Sequence, residues 1–190
     1  YALLAERILP ELLSGRPWGR APVKLWSAAA SSGAEAYSAA MVLDAASEHA
    51  TRFEYAVLGT DISMQMVAEA RRAIYPLRMF EPVPAHLRAR YVMPARQSAR
   101  AEGRIAPELR ARTRFARMNL MEPRYPIDGD VDVAFLRNVL IYFDREDQFA
   151  VVDRVVDRLR PGGFLLLGHA EAMAGVGRGV RQIAAASFQK

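Results

Sequence analysis

Apolar residues at Leu3, Leu4, Ile8, Leu9, Leu12 and Leu13 recur at helical spacing and predict a helix over Ala2 to Leu13, which the Gly- and Pro-bearing stretch Ser14 to Pro22 ends. Val23 to Ala28 is apolar at alternate positions and then small, the mark of a strand, and it runs into Ser31-Ser32-Gly33. A helix follows from about Ala34 to Ala50, with Tyr37, Ala40, Met41 and Leu43 to Ala45 on its buried side. Phe53 to Leu58 is a second strand ending at Gly59-Thr60-Asp61, and Ser63 is a suitable N-cap for a helix to about Ala73. Strand, turn, helix, strand, acid, helix is the opening of a doubly wound α/β sheet.

The same pattern resumes later, with strands at Arg114 to Met118 and Val131 to Leu136, an amphipathic helix over Arg145 to Leu159, the turn Pro161-Gly162-Gly163 and the buried strand Phe164 to Leu167. Arg181 to Gln189 is a candidate last strand. Between Pro76 and Arg112 the periodicity is broken by Pro82, Pro84, Pro94 and Pro107, with short candidate strands at Tyr91 to Met93 and Arg104 to Ala106. That points to a small β-subdomain inserted at about residues 84–112 of a single domain spanning 1–190, a size that can bury a sizeable core.

Composition narrows the chemistry. The chain is 52% hydrophobic and 25% charged, as ordinary soluble domains are. It has no cysteine, which excludes a disulfide frame, a Cys-ligated zinc, a thiolate nucleophile and an iron–sulfur cluster. Apolar runs such as Phe164 to Leu167 fall far short of the roughly 20 residues that span a bilayer, and no signal peptide precedes them, so a cytoplasmic protein without membrane insertion is expected. The chain opens at Tyr1 and not at Met, which leaves open a longer parent.

The net charge of +5 is unevenly placed: Arg71 to Arg124 holds 13 Arg against four acids, while the remainder has 13 basic and 17 acidic residues. A positive chain first suggests nucleic acid or an anionic surface. The basic segment has few interleaved aromatics to stack bases, and the missing cysteine closes the covalent cytosine C5 route.

In a doubly wound sheet ligands bind beyond the carboxyl ends of the strands. Four such ends carry suitable side chains. Ala28 to Gly33 is a loop of small residues leading into a helix N-terminus, where backbone can approach a ligand, although a tight turn needs the same residues. It lacks the spaced glycines of the dinucleotide fingerprint, which disfavours a nicotinamide dehydrogenase. Asp61 can accept hydrogen bonds from the hydroxyls of a ribose, or serve simply as an acid at a helix N-terminus. Asn119-Leu120 offers an amide beside an apolar side chain, suited to an adenine edge and face. Arg137 to Phe143 follows the Val131 to Leu136 strand.

That last stretch, FLRNVLIYFDREDQ (Phe135 to Gln148), resembles the signature of the chemotaxis receptor glutamate O-methyltransferases, the CheR family. LWSAAASSGAEAYSAAMVL (Leu25 to Leu43), LGTDIS (Leu58 to Ser63), ARRAIYPL (Ala70 to Leu77), MNLMEP (Met118 to Pro123) and LRPGGFLLLGHAE (Leu159 to Glu171) are similar to further segments of that family in its order and spacing. The resemblance implies a class I methyltransferase, a Rossmann-like doubly wound sheet with a small inserted β-subdomain. It implies S-adenosylmethionine (SAM) as cofactor and S-adenosylhomocysteine (SAH) as product. Carried over by position, Ala29 lines the methionine part, Glu35 faces the α-amino group, Asp61 takes the ribose hydroxyls, Asn119 and Leu120 meet the adenosine, and Arg137 and Asn138 line the site near Tyr142. Arg137 and Tyr142 are the expected catalytic residues, and no metal is expected.

The implied substrates are glutamates on the cytoplasmic helices of chemoreceptors, met in part through the basic inserted subdomain by a monomeric enzyme, with no nucleic-acid partner. His169 and Glu171 match the family's GHSE stretch except for Ala170, and a structural role is expected for them because carboxylate methylation needs no acid/base pair. Ala34 and Ala36 stand where the family commonly has Glu and Pro. The family also carries, upstream of the position of Tyr1, an N-terminal helical domain and a Phe-Phe-Arg segment that closes over the cofactor; neither is in this sequence. A SAM- or SAH-binding module without catalysis is the alternative that stays open.

Overall fold

The computed structural model describes residues 1–14, 21–49, 53–95, 101–128, 130–168, 171 and 179–190. A π-helical turn, Leu4–Ile8, leads into α1 (Leu9–Ser14). Then come β1 (Val23–Ser27), α2 (Ala34–His49), β2 (Tyr55–Asp61) and α3 (Met64–Arg72). The intervening small unit has β3 (Ile74–Pro76), α4 (Ala85–Tyr91), β4 (Val92–Pro94) and β5 (Glu102–Ile105). The large sheet continues with α5 (Pro107–Arg112), β6 (Thr113–Arg117), β7 (Val131–Leu136), α6 (Arg145–Arg158), β8 (Leu159–Leu167), β9 (Arg181–Ala184) and β10 (Ser187–Gln189).

Among the described residues, seven strands form one sheet in the order β6-β2-β1-β7-β8-β10-β9. The first five are parallel, and at the end β10 runs antiparallel to both β8 and β9. The order reverses between β1 and β7, which opens a crevice beyond their carboxyl ends, where such sheets hold ligands. β7 is buried at every position, as a central parallel strand covered on both faces must be. Its side chains alternate: Val133 and Phe135 join the core formed with α1 and α2, while Ala134 and Leu136 join that of Val151 and Val155 on α6.

Local chemistry sets the element ends. Ser63 Oγ accepts from the N–H of Met66 and starts α3, and Ala73 ends it in the left-handed region (φ 55°). Asp144 caps α6 through the N–H of Asp147. The Pro161-Gly162-Gly163 segment, expected as a turn, instead lies inside β8, where a register shift against β7 accommodates it. The tail supplies two short antiparallel strands where one was expected, because the irregular Ala184 to Ser187 turn folds it back on itself.

β3, β5 and β4 form a separate antiparallel sheet. Its first strand, Ile74–Pro76, and the helices α4 and α5 have no counterpart in the hydrophobic pattern, since each is too short to show a period. The buried Asp44 of α2 accepts from the hydroxyls of Tyr55 (2.9 Å) and Tyr91 (2.8 Å), tying the large sheet to α4. Tyr75 of β3 donates to the carbonyl of Ser32 (2.7 Å), so the small sheet touches the loop after β1.

Candidate functional site

The loop from Ala28 to Gly33 is seated by the strands it crosses. Ala28 N–H donates to the carbonyl of Phe135 and Ala30 N–H to that of Thr60, both at 2.8 Å. Gly33 has φ +88°, and a Cβ there would lie 2.7 Å from the Cβ of Ala70 and 2.9 Å from the ring of Phe115. Only glycine lets the chain pass so close to α3 and turn into α2.

Asp61 ends β2 beside that loop. Its Oδ2 accepts the N–H of Ser31 at 2.8 Å and its Oδ1 that of Ser63 at 2.9 Å. Each oxygen keeps a second lone pair, so the carboxylate is fixed in place and still able to accept. It lines a cleft of about 380 Å³, with Ala29, Asn119, Leu120 and Tyr142 among the other walls. Asn119 spends its Oδ1 on the N–H of Met121 (3.0 Å), which turns its amide NH₂ to other partners. The backbone of Leu120 is held through its carbonyl by Tyr125 (2.8 Å) and Arg154 (3.0 Å). Tyr142, 79% exposed, stands at the lip of the cleft.

A charged cluster lies on the neighbouring strand ends. Glu35, in the first turn of α2, accepts from Ser27 Oγ at 2.8 Å and faces Arg137 Nη1 at 3.3 Å. Burial raises its carboxyl above the ordinary value, while Ser27 and Arg137 pull it back down. Tyr1 packs its ring against Phe135 and donates to the backbone carbonyl of Glu35 at 3.5 Å.

Of the eight positions marked in the sequence, seven fall into a cleft group of Ala29, Asp61, Asn119, Leu120 and Tyr142, and a charged group of Glu35 and Arg137. Asn138 follows Arg137 in the left-handed region (φ 59°), and its N–H donates to Glu171. Ser27 and Tyr1 are not among the marked positions, and Glu171 is marked there only for a structural role. Ser27 had a visible signal, a small hydroxyl at the end of a strand before a helix. The role of Glu171 depends on pairing across 31 to 33 residues, which no local pattern reveals. His169 lies outside the described residues.

An adenosyl group needs an apolar slot with an acceptor for its ribose, and an amino-acid tail needs a carboxylate and a cation; the donor set here fits both. Among the described residues no cluster suited to a metal ion is found, and no helix is long and apolar enough to cross a membrane.

Fold and site together define a class I SAM-dependent methyltransferase domain. Solved structures share that fold: the CMeT domain of the citrinin polyketide synthase (TM-score 0.52, 18% identity, covering 84% of this chain and 32% of that one) and a TehB-like SAM-dependent methyltransferase of Corynebacterium glutamicum (TM-score 0.50, 10% identity, 98% and 93%). The family described as "CheR methyltransferase, SAM binding domain" matches residues 1–188, and the chain belongs to it. It is 35% identical to chemotaxis protein methyltransferase 2 of Pseudomonas aeruginosa over 96% of this chain and 63% of the relative. It is 31% identical to the chemotaxis protein methyltransferase of Borreliella burgdorferi over 100% and 66%, and 38% identical to that of Salmonella typhimurium over 78% and 51%. The chain thus spans 66% of the length or less of these relatives. S-adenosylmethionine is the cofactor of the domain.

Proposed function

We propose that this chain is the cofactor-binding part of a protein-glutamate O-methyltransferase that methylates chemoreceptors. The observation that carries the proposal is the pairing of an acceptor-lined cleft at Asp61 with the half-buried pair of Glu35, at the start of α2, and Arg137, just past the end of β7, in a chain of this family. Asp61 takes the ribose hydroxyls, Asn119 and Leu120 the adenine, and Ala29 and Asn138 the backbone-lined passage between. Glu35 receives the cofactor's ammonium as a charge-assisted bond. Arg137 presents its guanidinium to the carboxylates that meet at this end.

The bound cofactor supplies an electrophilic methyl group on its sulfonium. A glutamate substrate is already ionised at neutral pH, so the protein needs no general base. What the chain contributes is alignment and exclusion of water around the reacting oxygen. Tyr142, at the lip, and Arg137 hold that carboxylate in line, which makes them the catalytic residues. The exposed Arg78, Arg88 and Arg104 of the small unit give it a positive face toward an acidic receptor bundle. The protein works as a monomer in the cytoplasm.

The test is methyl transfer from labelled SAM by the full-length protein to a receptor cytoplasmic fragment. Base-labile methyl esters on receptor glutamates are expected. Binding of SAH with no ester formed would instead assign a non-catalytic sensing module. Tyr142→Phe is expected to lower kcat with unchanged SAH affinity, and an unchanged kcat would remove its role.

A further inference from the structure

Three consecutive backbone N–H groups after β7 converge on one side chain. Glu171 Oε1 accepts from Val139 and Leu140, both at 2.7 Å, and Oε2 accepts from Asn138 at 2.8 Å. Oε2 also accepts from Gly168 at 2.8 Å, just past the end of β8. The carboxylate is 5% exposed, and the N–H of Glu171 itself returns to the carbonyl of Gly168 at 2.9 Å. Successive N–H groups of this kind make a concave seat for an anion. Here the seat is filled from within the chain. The approach is close enough that a Cβ on Gly168 would run into Oε2 of Glu171 and lie 3.0 Å from Oδ1 of Asn138.

The bend that Glu171 closes on is the one that carries the site. Arg137 leaves β7 toward Glu35, the chain then turns at Asn138 with φ 59°, and the short helix Leu140–Tyr142 brings Val139 and Tyr142 to the cleft wall. A left-handed Asn with these three N–H groups left unpaired would not hold by itself, since a desolvated donor without an acceptor is unfavourable, that of the buried Leu140 above all. Charge-assisted acceptance by one carboxylate satisfies all three together.

We propose that Glu171 is a positioning residue for methyl transfer: it touches neither cofactor nor substrate, and it sets the Arg137 to Tyr142 strip that does. This rests on the proposed use of that strip. Its nearness to Glu35 adds a second effect, because its negative charge helps raise the Glu35 carboxyl. A glutamine in its place keeps the size but replaces one acceptor oxygen by a donor, which opposes the N–H groups on that side.

The experiment compares full-length wild type, Glu171→Gln and Glu171→Ala, with SAH titrated calorimetrically well below the melting temperature and methylation followed on a receptor fragment. Glu171→Gln is expected to weaken SAH about tenfold and to lower kcat/KM about 100-fold, as displacements near 1 Å do, with KM for the receptor unchanged. The amide protons of Asn138, Val139 and Leu140 should be protected from exchange in wild type and lose protection in the variant. A lower melting temperature with wild-type SAH affinity and kcat per folded molecule would make Glu171 merely structural and overturn the proposal. If wild type binds SAH but forms no ester, the methyltransferase assignment fails, while SAH affinity and exchange still decide the role of Glu171.

Discussion

At the end of the site proposed for the ribose, Asp61 is held by two backbone N–H groups, those of Ser31 and Ser63, whereas at the end proposed for the amino-acid tail, Glu35 is held by two side chains, Ser27 and Arg137. The first carboxylate is fixed by loops that the sheet itself seats. The second sits in a half-buried pair of side chains, and its burial raises its carboxyl above the ordinary value. Two backbone N–H groups on seated loops give a fixed contact; a half-buried pair of side chains gives one whose charge depends on its surroundings.

The largest effect should come from the rigid end. Asp61→Ala removes the ribose acceptor and strands two loop N–H groups, and hydrogen bonds to a charged acceptor contribute about 1.5–3 kcal/mol each, so calorimetry should show SAH weakened by about 100-fold or more. Glu35→Gln should cost about tenfold for SAH, one charge-assisted bond becoming neutral. It should leave 5′-methylthioadenosine, which has no amino-acid tail, unchanged; equal losses for both ligands would erase the distinction between the two ends.

Proton dependence sharpens the contrast. The folded chain holds a proton on Glu35 more tightly than the unfolded chain does, so the stability contributed by this group is fully present below the ordinary carboxyl pKa and is lost as pH rises through the raised one. SAH binding runs the other way, since the ammonium needs the carboxylate, and affinity should fall as pH drops through the raised value. In Glu35→Gln both trends should flatten, whereas titrations of Asp61→Ala should keep them. The smallest effect belongs to the basic face: Arg88→Glu with Arg104→Glu should slow receptor methylation a few-fold at low salt, converge with wild type as salt screens the surface, and leave SAH affinity alone.

Much of the fold was legible because its signals are local. The β1, β2 and β7 strands and the helices α2 and α6 announce themselves by period, and Ser63 by its capping chemistry. β3, α4 and α5 are too short for a period, and the bulge in β8 hid behind a Pro-Gly-Gly run that also suits a turn. At the site, Asp61 and Glu35 could be marked from their places at a strand end and a helix start. Their full sets of partners could not: Ser63 and Ser27 are near in sequence, but Ser31 reaches Asp61 and Arg137 reaches Glu35 from another loop.

The sequence by itself determined the succession of strands and helices along the chain, the small-residue loop at Gly33 and the family, since these follow from neighbouring residues and ordered motifs. Only the tertiary structure decided which carboxylate is held by backbone, which by Arg137, and that Glu171 closes on the bend after β7. The contacts of Asp61 with Ser31, of Glu35 with Arg137 and of Glu171 with the bend join residues 30 to 102 positions apart, and burial and hydrogen-bond geometry exist only once the sheet has brought them together.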